Sequence, residues 1–355
     1  MNSKLIYGIQ QVGVGVENAE EAFKWYASKL GADVPVFDDN NTATYMAKYM
    51  GGKPRDKRAI LAMNIEGGGG YEIWQYLNRT PAAAVNPIQL GDLGIHHIKI
   101  KTRNLQKAFD NLTQKGVHCL SKIVTGPDNQ PTFYIQDPYG NILQVKEYDS
   151  WHTNKRLDTG GIYACTIGVS DIDASKKLYE DILGYDQEIY DKTGQFEDLQ
   201  SMPGGQHTFR RVLLGHSKVR KGAFSELFGE SQMELIQVMD REPVKIFQDR
   251  YWGDLGYIHL CFDIKNMDAL VKECEEKGFP FQVLSNDSFD MGDANGHWGY
   301  IEDPDGTLIE FVETHKVPVI RKFNWYINLR KRKPTKPLPA WLTNAMAFNR
   351  VKFKQ

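Results

Sequence analysis

The stretch Ile9-Gln10-Gln11-Val12-Gly13-Val14-Gly15-Val16 alternates between branched apolar residues and residues that are polar or small. A period of two is that of a β-strand, whose successive side chains point to opposite faces of a sheet. The valines form one face, and Gln11 shares the other face with two glycines. A helical segment from Asn18 to Gly31 follows, and it ends at a glycine, as a left-handed helix cap would. The stretch therefore predicts a strand and a helix that pack together and turn Gln11 away from their core.

This pattern of a strand and a helix occurs four times along the chain. The other three strands begin near Ile95, Ile162 and Tyr257. Self-similarity of this kind indicates an architecture of repeated units. The second and fourth copies also share an Asp-Pro-x-Gly turn, in which proline sets φ and glycine supplies a positive φ. The resulting order, A-B-A′-B′, indicates that an ancestral chain of two units was duplicated.

Polar side chains recur at two equivalent places of the four copies, with Ala164 as the one exception. One position of the first strand, on the face opposite the apolar one, holds Gln11, His97, Ala164 and His259. The middle of the last strand holds Glu72, Gln144, Glu234 and Glu310. Carboxylates and amides are costly to bury without a partner, so their recurrence in apolar strands predicts a shared chemical reason.

The composition is that of an ordinary protein, and the length of the chain predicts more than one core. The chain has 355 residues, of which 41% are hydrophobic and 25% are charged, and single domains usually hold about 100–200 residues. It contains no apolar run of about 18 residues, so we expect no membrane span. Its first residues do not resemble a signal peptide. The four cysteines lack a CxxC spacing and are interpreted as reduced thiols of a cytoplasmic protein.

The end of the chain differs in charge from the rest. Residues 317–355 contain ten Lys or Arg and no acidic residue, while the preceding part holds 33 basic and 45 acidic side chains. Such a segment could contact nucleic acid or anionic lipid, but it also carries Trp325, Trp341 and Leu342. We expect it to pack on the acidic body of its own chain or on a partner subunit of a homo-oligomer. We expect a small-molecule substrate, and neither nucleic acid nor a membrane as a partner.

With these residues on its first and last strands, the chain resembles the vicinal oxygen chelate superfamily, which includes glyoxalase I, extradiol dioxygenases, hydroxyphenylpyruvate dioxygenase and bleomycin-resistance proteins. The resemblance covers residues 5–314. It implies an α+β fold of four βαβββ modules, paired into two cup-shaped, mostly antiparallel half-barrels, with the basic segment as an extension. It also implies a divalent metal, with ligands drawn from Gln11, Glu72, His97, Gln144, Glu234, His259 and Glu310; Ala164 cannot ligate.

Two pairings of the modules are open. Adjacent pairing gives domains at residues 1–150 (modules one and two) and 151–316 (modules three and four), followed by the extension at 317–355. Pairing of the first module with the fourth instead unites the side chains that match the ligand set of glyoxalase I: Gln11, Glu72, His259 and Glu310. We favour adjacent pairing because of the A-B-A′-B′ order and the long linker from Asp149 to Gly160.

The implied ligands suit Mn, Ni, Co, Zn, Mg or Fe as divalent ions. Either pairing offers one histidine per site, which counts against the two-histidine, one-carboxylate iron centre of oxygenases. The leading hypothesis is a glyoxalase-like lyase or isomerase that transfers a proton on a small hydroxy- or keto-carbonyl compound. Glu310 and Glu234 are the predicted catalytic carboxylates, or Glu310 and Glu72 in the other pairing, with one half of the chain active and the other decayed. An extradiol-type or hydroxyphenylpyruvate-type dioxygenase and a metal-free ligand-binding protein are the alternatives.

Overall fold

The computed structural model describes residues 3–285, 289–290, 295–320 and 325–353. Within these ranges the chain forms two mixed, mostly antiparallel sheets with helices packed on them, which confirms the α+β class and the four-module architecture. None of the helices in this part of the chain combines the length and the apolar character that crossing a membrane requires.

Modules one and four build the first sheet. Module one consists of β1 (Leu5–Gly15), α1 (Ala19–Leu30), β2 (Val34–Thr42), β3 (Asp56–Met63) and β4 (Gly70–Tyr76). Module four is formed later in the chain by β14 (Gly256–Lys265), α5 (Met267–Glu276), β15 (Val283–Leu284), β16 (Phe289–Asp290), β17 (Asn295–Glu302) and β18 (Leu308–Ile320). The strand order is β15-β17-β18-β14-β1-β4-β3-β2, so the first strands of the two modules meet at the centre.

Modules two and three build the second sheet. Module two consists of β5 (Gly94–Thr102), α2 (Leu105–Gln114), β6 (His118–Cys119), β7 (Val124–Thr125), β8 (Pro131–Gln136) and β9 (Ile142–Glu147). Module three consists of β10 (Ile162–Gly168), α3 (Ile172–Asp181), β11 (Gln187–Gly194), β12 (Phe209–Gly215), α4 (Ser225–Phe228) and β13 (Gln232–Val238). The order β11-β12-β13-β10-β5-β9-β8-β6 again places two first strands side by side.

The expectation that adjacent modules pair is wrong. β1 pairs with β14 and β5 pairs with β10, so the division into residues 1–150 and 151–316 does not coincide with the two sheets. The four first strands are alike in sequence, and the backbone hydrogen bonds of their open edges do not distinguish one partner from another. Linker 148–161, which suggested a boundary, joins two modules of the same sheet, whereas linkers 77–93 and 239–255 cross between the sheets.

Two equivalent hydrogen bonds tie the sheets together. The hydroxyl of Tyr26 on α1 donates to Asp137 over 2.5 Å, and that of Tyr179 on α3 donates to Asp303 over 3.1 Å. Both acceptors open the predicted Asp-Pro-x-Gly turns, whose glycines have φ values of 88° and 93°, as the turn chemistry requires. Each turn therefore also anchors a helix of the opposite sheet.

The C-terminal extension lies against the first sheet. It adds β19 (Trp325–Asn328) to the edge of β18 and continues into the short helix α6 (Ala340–Asn344) and a 3₁₀ segment (Ala345–Asn349). Arg350 donates three hydrogen bonds of 2.8–3.0 Å to the carboxylate of Asp33, which follows α1. The buried leucines of the extension join an apolar cluster with side chains of β3 and α4. Residues 321–324 lie outside the described residues.

Candidate metal centre and its cavity

Four polar side chains converge at the centre of the first sheet. They come from the adjacent strands β1, β4, β14 and β18 and are Gln11, Glu72, His259 and Glu310, the four-residue centre. The strand register places His259 and Glu72 in one row across the sheet, and Glu310 and Gln11 in the row two residues away. Since alternate residues of a strand share a face, all four side chains point to the same side. The structure thus brings together the set predicted for pairing of the first module with the fourth.

The donor atoms are spaced as the ligands of one ion would be. Nε2 of His259 lies 3.1 Å from Oε2 of Glu72 and 3.1 Å from Oε2 of Glu310. Nε2 of Gln11 donates a 3.1 Å hydrogen bond to Oε2 of Glu72. Atoms bound at right angles to one cation, each about 2.1 Å from it, lie about 3 Å apart. The geometry of this centre therefore fits a divalent ion.

The unpaired atoms of the centre also fit a cation. Oε1 of Gln11, Nε2 of His259 and Oε2 of Glu310 are buried and form no well-aligned hydrogen bond among the described residues, although Nε2 of His259 lies 3.1 Å from the Glu310 oxygen. Buried polar atoms of native proteins are rarely left without a partner. Two of the three are oxygens and one is an imidazole nitrogen, which is a donor set that divalent first-row metals accept.

Charge balance explains how the two carboxylates lie so close together. Burial alone lowers the pKa of His259, but the carboxylates of Glu310 and Glu72 outweigh it and raise the pKa to about 9. Burial likewise raises the pKa of Glu72, but the close contact with His259 and the charge of its imidazole bring it below its usual value. A protonated imidazole between two carboxylates holds the site together when no metal is bound, and an incoming cation would take its place.

Gly13 makes room for the imidazole. It lies beside His259 on the neighbouring strand, and a Cβ atom built on it would lie 2.4 Å from Cε1 and 2.6 Å from Nδ1 of that ring. Aromatic side chains fix the ring from other sides: Trp252 stacks on it at 5.9 Å and Tyr300 meets it edge-on at 5.6 Å. Trp252 lies in a linker, and an isolated tryptophan there was not recognised as part of the site.

The second sheet repeats the register with different residues. His97 and Glu234 share one row with Thr166, and Gln144 shares the next row with Lys99 and Ala164. In the first sheet, the position of Lys99 belongs to Cys261, which lies between Gln11 and Glu310. The second sheet therefore has a lysine at the position where the first sheet has a neutral thiol.

Glu234 is saturated by protein groups. One oxygen accepts hydrogen bonds from Lys99 Nζ at 2.6 Å and Thr166 Oγ1 at 2.8 Å. The other accepts from Tyr190 at 2.6 Å and from Arg211 Nε at 2.8 Å. Burial raises the pKa of this carboxyl, but Arg211 and Lys99 hold it well below its usual range. The ammonium and guanidinium groups supply the positive charge that a metal would otherwise bring.

The other predicted residues of the second sheet do not complete a site. Nδ1 of His97 lies 3.0 Å from Nδ1 of His96, and burial with the neighbouring His96 and Lys99 keeps the pKa of His97 well below its usual value. The predicted combination of Glu234 with Glu310 in one site is wrong, because the two lie in different sheets. Arg211 was missed in the sequence, although an arginine at an inward position of apolar β12 is an unusual residue to bury.

A cavity of about 790 Å³ opens over the four-residue centre, within the range of about 300–1,000 Å³ of ligand pockets. Glu72 and Glu310 line its middle, with Trp74, Trp252 and Tyr300 on one side. On the other side the lining is mostly aliphatic and phenylalanine side chains, several of them from α4 and the C-terminal extension. The ring of His297 on β17 packs 5.0 Å from that of His315.

Comparison with known proteins gives one family. Residues 8–145 match a model of the Glyoxalase/Bleomycin resistance protein/Dioxygenase superfamily, and residues 165–295 match a second model of the same description. Glyoxalase I from Zea mays has a similar structure with a TM-score of 0.53 and 15% identity over 88% of this chain and 92% of that chain. A proposed dioxygenase from Bacillus subtilis reaches 0.55 with 13% identity over 99% of both chains. At such low sequence identities, these likenesses show a shared fold and nothing further. A comparison with curated proteins finds no match.

Proposed function

Because the chain belongs to the Glyoxalase/Bleomycin resistance protein/Dioxygenase superfamily, we propose that it is a divalent-metal-dependent lyase or isomerase that moves a proton next to a carbonyl group. The observation that carries the proposal is that one donor atom each of Glu72, His259 and Glu310 lies within 4.8 Å of the other two, with the amide of Gln11 against Glu72. One imidazole and two carboxylates favour Mn, Ni, Co or Zn and do not form the two-histidine iron centre of oxygenases.

The residues divide the work by their contacts. Gln11 holds Glu72 through its amide, so Glu72 is fixed as a ligand. Glu310 lines the cavity, and its carboxylate is the group that we assign to proton transfer. The ion, when bound, supplies Lewis-acid stabilisation of the anion that forms as the proton leaves. Trp252 and Tyr300 shield the imidazole from water.

The first test combines metal loading with hydrogen exchange. The full chain is loaded with Mn²⁺, Ni²⁺, Co²⁺ or Zn²⁺, metal is counted by elemental analysis, and α-hydroxyketones and thiol adducts of 2-ketoaldehydes are incubated with it in D₂O. We expect metal-dependent exchange of the carbon-bound hydrogen, followed by NMR, without uptake of O₂. A chain that binds none of these ions would contradict the proposal. Stoichiometric O₂ uptake would assign a dioxygenase instead.

Replacement of Glu310 by glutamine separates proton transfer from metal binding. The amide keeps the shape of the side chain but cannot accept the proton, so we expect the exchange rate to fall by about 10²–10⁴-fold. Glu72→Gln is the matched variant, and its main effect should be a weaker affinity for metal. If Glu72→Gln lost exchange at full metal occupancy while Glu310→Gln retained it, the roles of the two carboxylates would be reversed.

Gly13→Ala is expected to weaken metal binding without removing any ligand. The new Cβ would lie 2.4 Å from Cε1 of His259, so the imidazole must shift and its Nε2 leaves its place between the carboxylates. We expect affinity for Mn²⁺ to fall by at least about tenfold, as when a supporting contact of a ligand is lost. Titration calorimetry measures the affinity, and Ala164→Gly in the second sheet is the control, for which we expect no change.

A further inference from the structure

We propose that the cavity side formed by α4, β18 and the C-terminal extension is a binding site for a hydrocarbon segment of the substrate, so that the enzyme acts on elongated molecules with an oxygenated head. This inference rests on the proposed function, since the metal centre would hold the head. The extension lies outside the part of the chain that matches the family models. The family models therefore do not describe its contribution to the cavity.

The strand register shows that the cavity extends to both sides of the centre. On β3, Leu61 lies beside Glu72, and Met63 lies one step further towards α4. On β18 the lining continues from Glu310 to Val317, a run that spans roughly 20 Å at the usual rise per residue. A molecule of three or four carbons held at the centre would leave this side empty.

The lining of this side has the chemistry of a hydrocarbon site. Leu61, Met63, Leu227, Phe228, Leu338 and Leu342 form one apolar cluster whose members also line the cavity. Gln10 and Thr314 also line this side, and both donate hydrogen bonds to Asp263 beside them. A wall that is mostly apolar favours an apolar ligand through the release of water. Lys316 is the charged group of β18 on this side, and its ammonium lies 4.9 Å from the ring of Tyr326.

Two backbone hydrogen bonds hold the extension against the cavity. The backbone N–H of Leu338 donates to the carbonyl oxygen of Ala223, beside α4, over 2.8 Å. The backbone N–H of Val351 donates to the backbone carbonyl oxygen of Asp33 over 2.8 Å. Between these anchors, Leu342 and Met346 face the cavity. Phe348 also lines the cavity, although 91% of its surface is exposed. A bound chain would cover part of this ring.

The test uses n-alkyl hydroxamic acids from acetohydroxamic to decanohydroxamic acid, because the hydroxamate chelates a metal while the alkyl part varies. With the Mn²⁺-loaded full chain, we expect affinity to rise by about fourfold per methylene until the site is filled. Leu342→Ala should lower the affinity for the decanoyl compound by about tenfold or more and leave that of the acetyl compound unchanged. Affinity independent of chain length would overturn the inference.

Two exposed aromatic residues give a matched pair that avoids effects on folding. Phe348→Ser should reduce the gain from the longest chains, whereas Trp341→Ser, at a residue that is 56% exposed and does not line the cavity, should not. Equal effects of both variants would contradict the assigned wall.

A second arm separates this inference from the proposed function. The metal-free chain is titrated with the fluorescent probe N-phenyl-1-naphthylamine, and n-alcohols of increasing length compete with it. Displacement that strengthens with length in wild type and weakens in Leu342→Ala supports the hydrocarbon site even if no metal binds. If hydroxamates bind through the metal without a length effect, and alcohols do not compete, the site fails while the proposed function stands.

Discussion

Replacement of His259 by alanine is expected to remove bound metal from the protein and, with it, the proposed activity. His259 is the only histidine of the four-residue centre, and its Nε2 lies 3.1 Å from both carboxylates. Without it, two buried carboxylates face each other with no imidazole between them, and one of them must take up a proton. We expect affinity for Mn²⁺ or Zn²⁺ to fall by more than about a hundredfold, beyond the usual cost of losing a supporting contact.

His97→Ala is the matched control for this variant. Both histidines are buried at the equivalent position of a first strand, so both replacements leave a cavity of the same kind. Elemental analysis after dialysis should find metal with His97→Ala and none with His259→Ala. Loss of metal from both variants would indicate a general effect on folding, and loss from His97→Ala alone would move the metal centre to the second sheet.

The elements of the fold were accessible from the sequence because they depend on local patterns. Alternation in Ile9–Val16 predicts a strand, Gly31 has the left-handed φ of 68° expected of a helix cap, and the Asp-Pro-x-Gly turns form as expected. The pairing of modules is not local. It depends on which open edges meet in space, and β1 could pair equally well with β5 or β14 as far as the residues of its own edge are concerned.

The same limit applies to the site. The sequence marks Glu72 and Glu234 as equivalent, and both lie at the same register position of their sheets. Their environments differ through single residues of other strands, since Cys261 in one sheet corresponds to Lys99 in the other. Arg211 approaches Glu234 from β12, and only the folded sheet reveals that contact. Equivalent positions therefore predict where a site lies, and the neighbouring side chains decide whether it can take a cation.

Replacement of Glu234 by glutamine is expected to destabilise the fold strongly without changing metal content. The variant leaves Lys99 without an ion-pair partner among the described residues, and Arg211 keeps only Asp198, at 2.9 Å. Removal of one partner of a buried ion pair typically costs about 3–5 kcal/mol of the free energy of unfolding. Glu230→Gln, at an exposed glutamate shortly before β13, should cost less than about 0.5 kcal/mol. Urea unfolding at neutral pH compares the two.

The loss of unfolding free energy caused by Glu234→Gln depends on pH, because the pKa of Glu234 is lowered in the folded protein. The pKa of Glu234 in the folded protein lies well below its value in the unfolded chain, which is about 4.3. Its stabilising effect is therefore fully present above that pH and is lost as the pH falls through the folded-state pKa. The difference in unfolding free energy between wild type and Glu234→Gln should be constant from pH 6 to 8 and shrink in more acidic solution.

The double variant Lys99→Met, Glu234→Gln tests whether the ammonium of Lys99 supplies the positive charge that a metal ion would otherwise bring. If the main cost of Glu234→Gln is an unpaired buried ammonium, removing the ammonium as well should restore part of the stability, with a coupling energy of about 0.5–3 kcal/mol. Strictly additive losses would contradict this role of Lys99. Metal content should stay unchanged in Lys99→Met, Glu234→Gln and the double variant, because the proposed ion lies in the first sheet, where the position of Lys99 is taken by the uncharged Cys261.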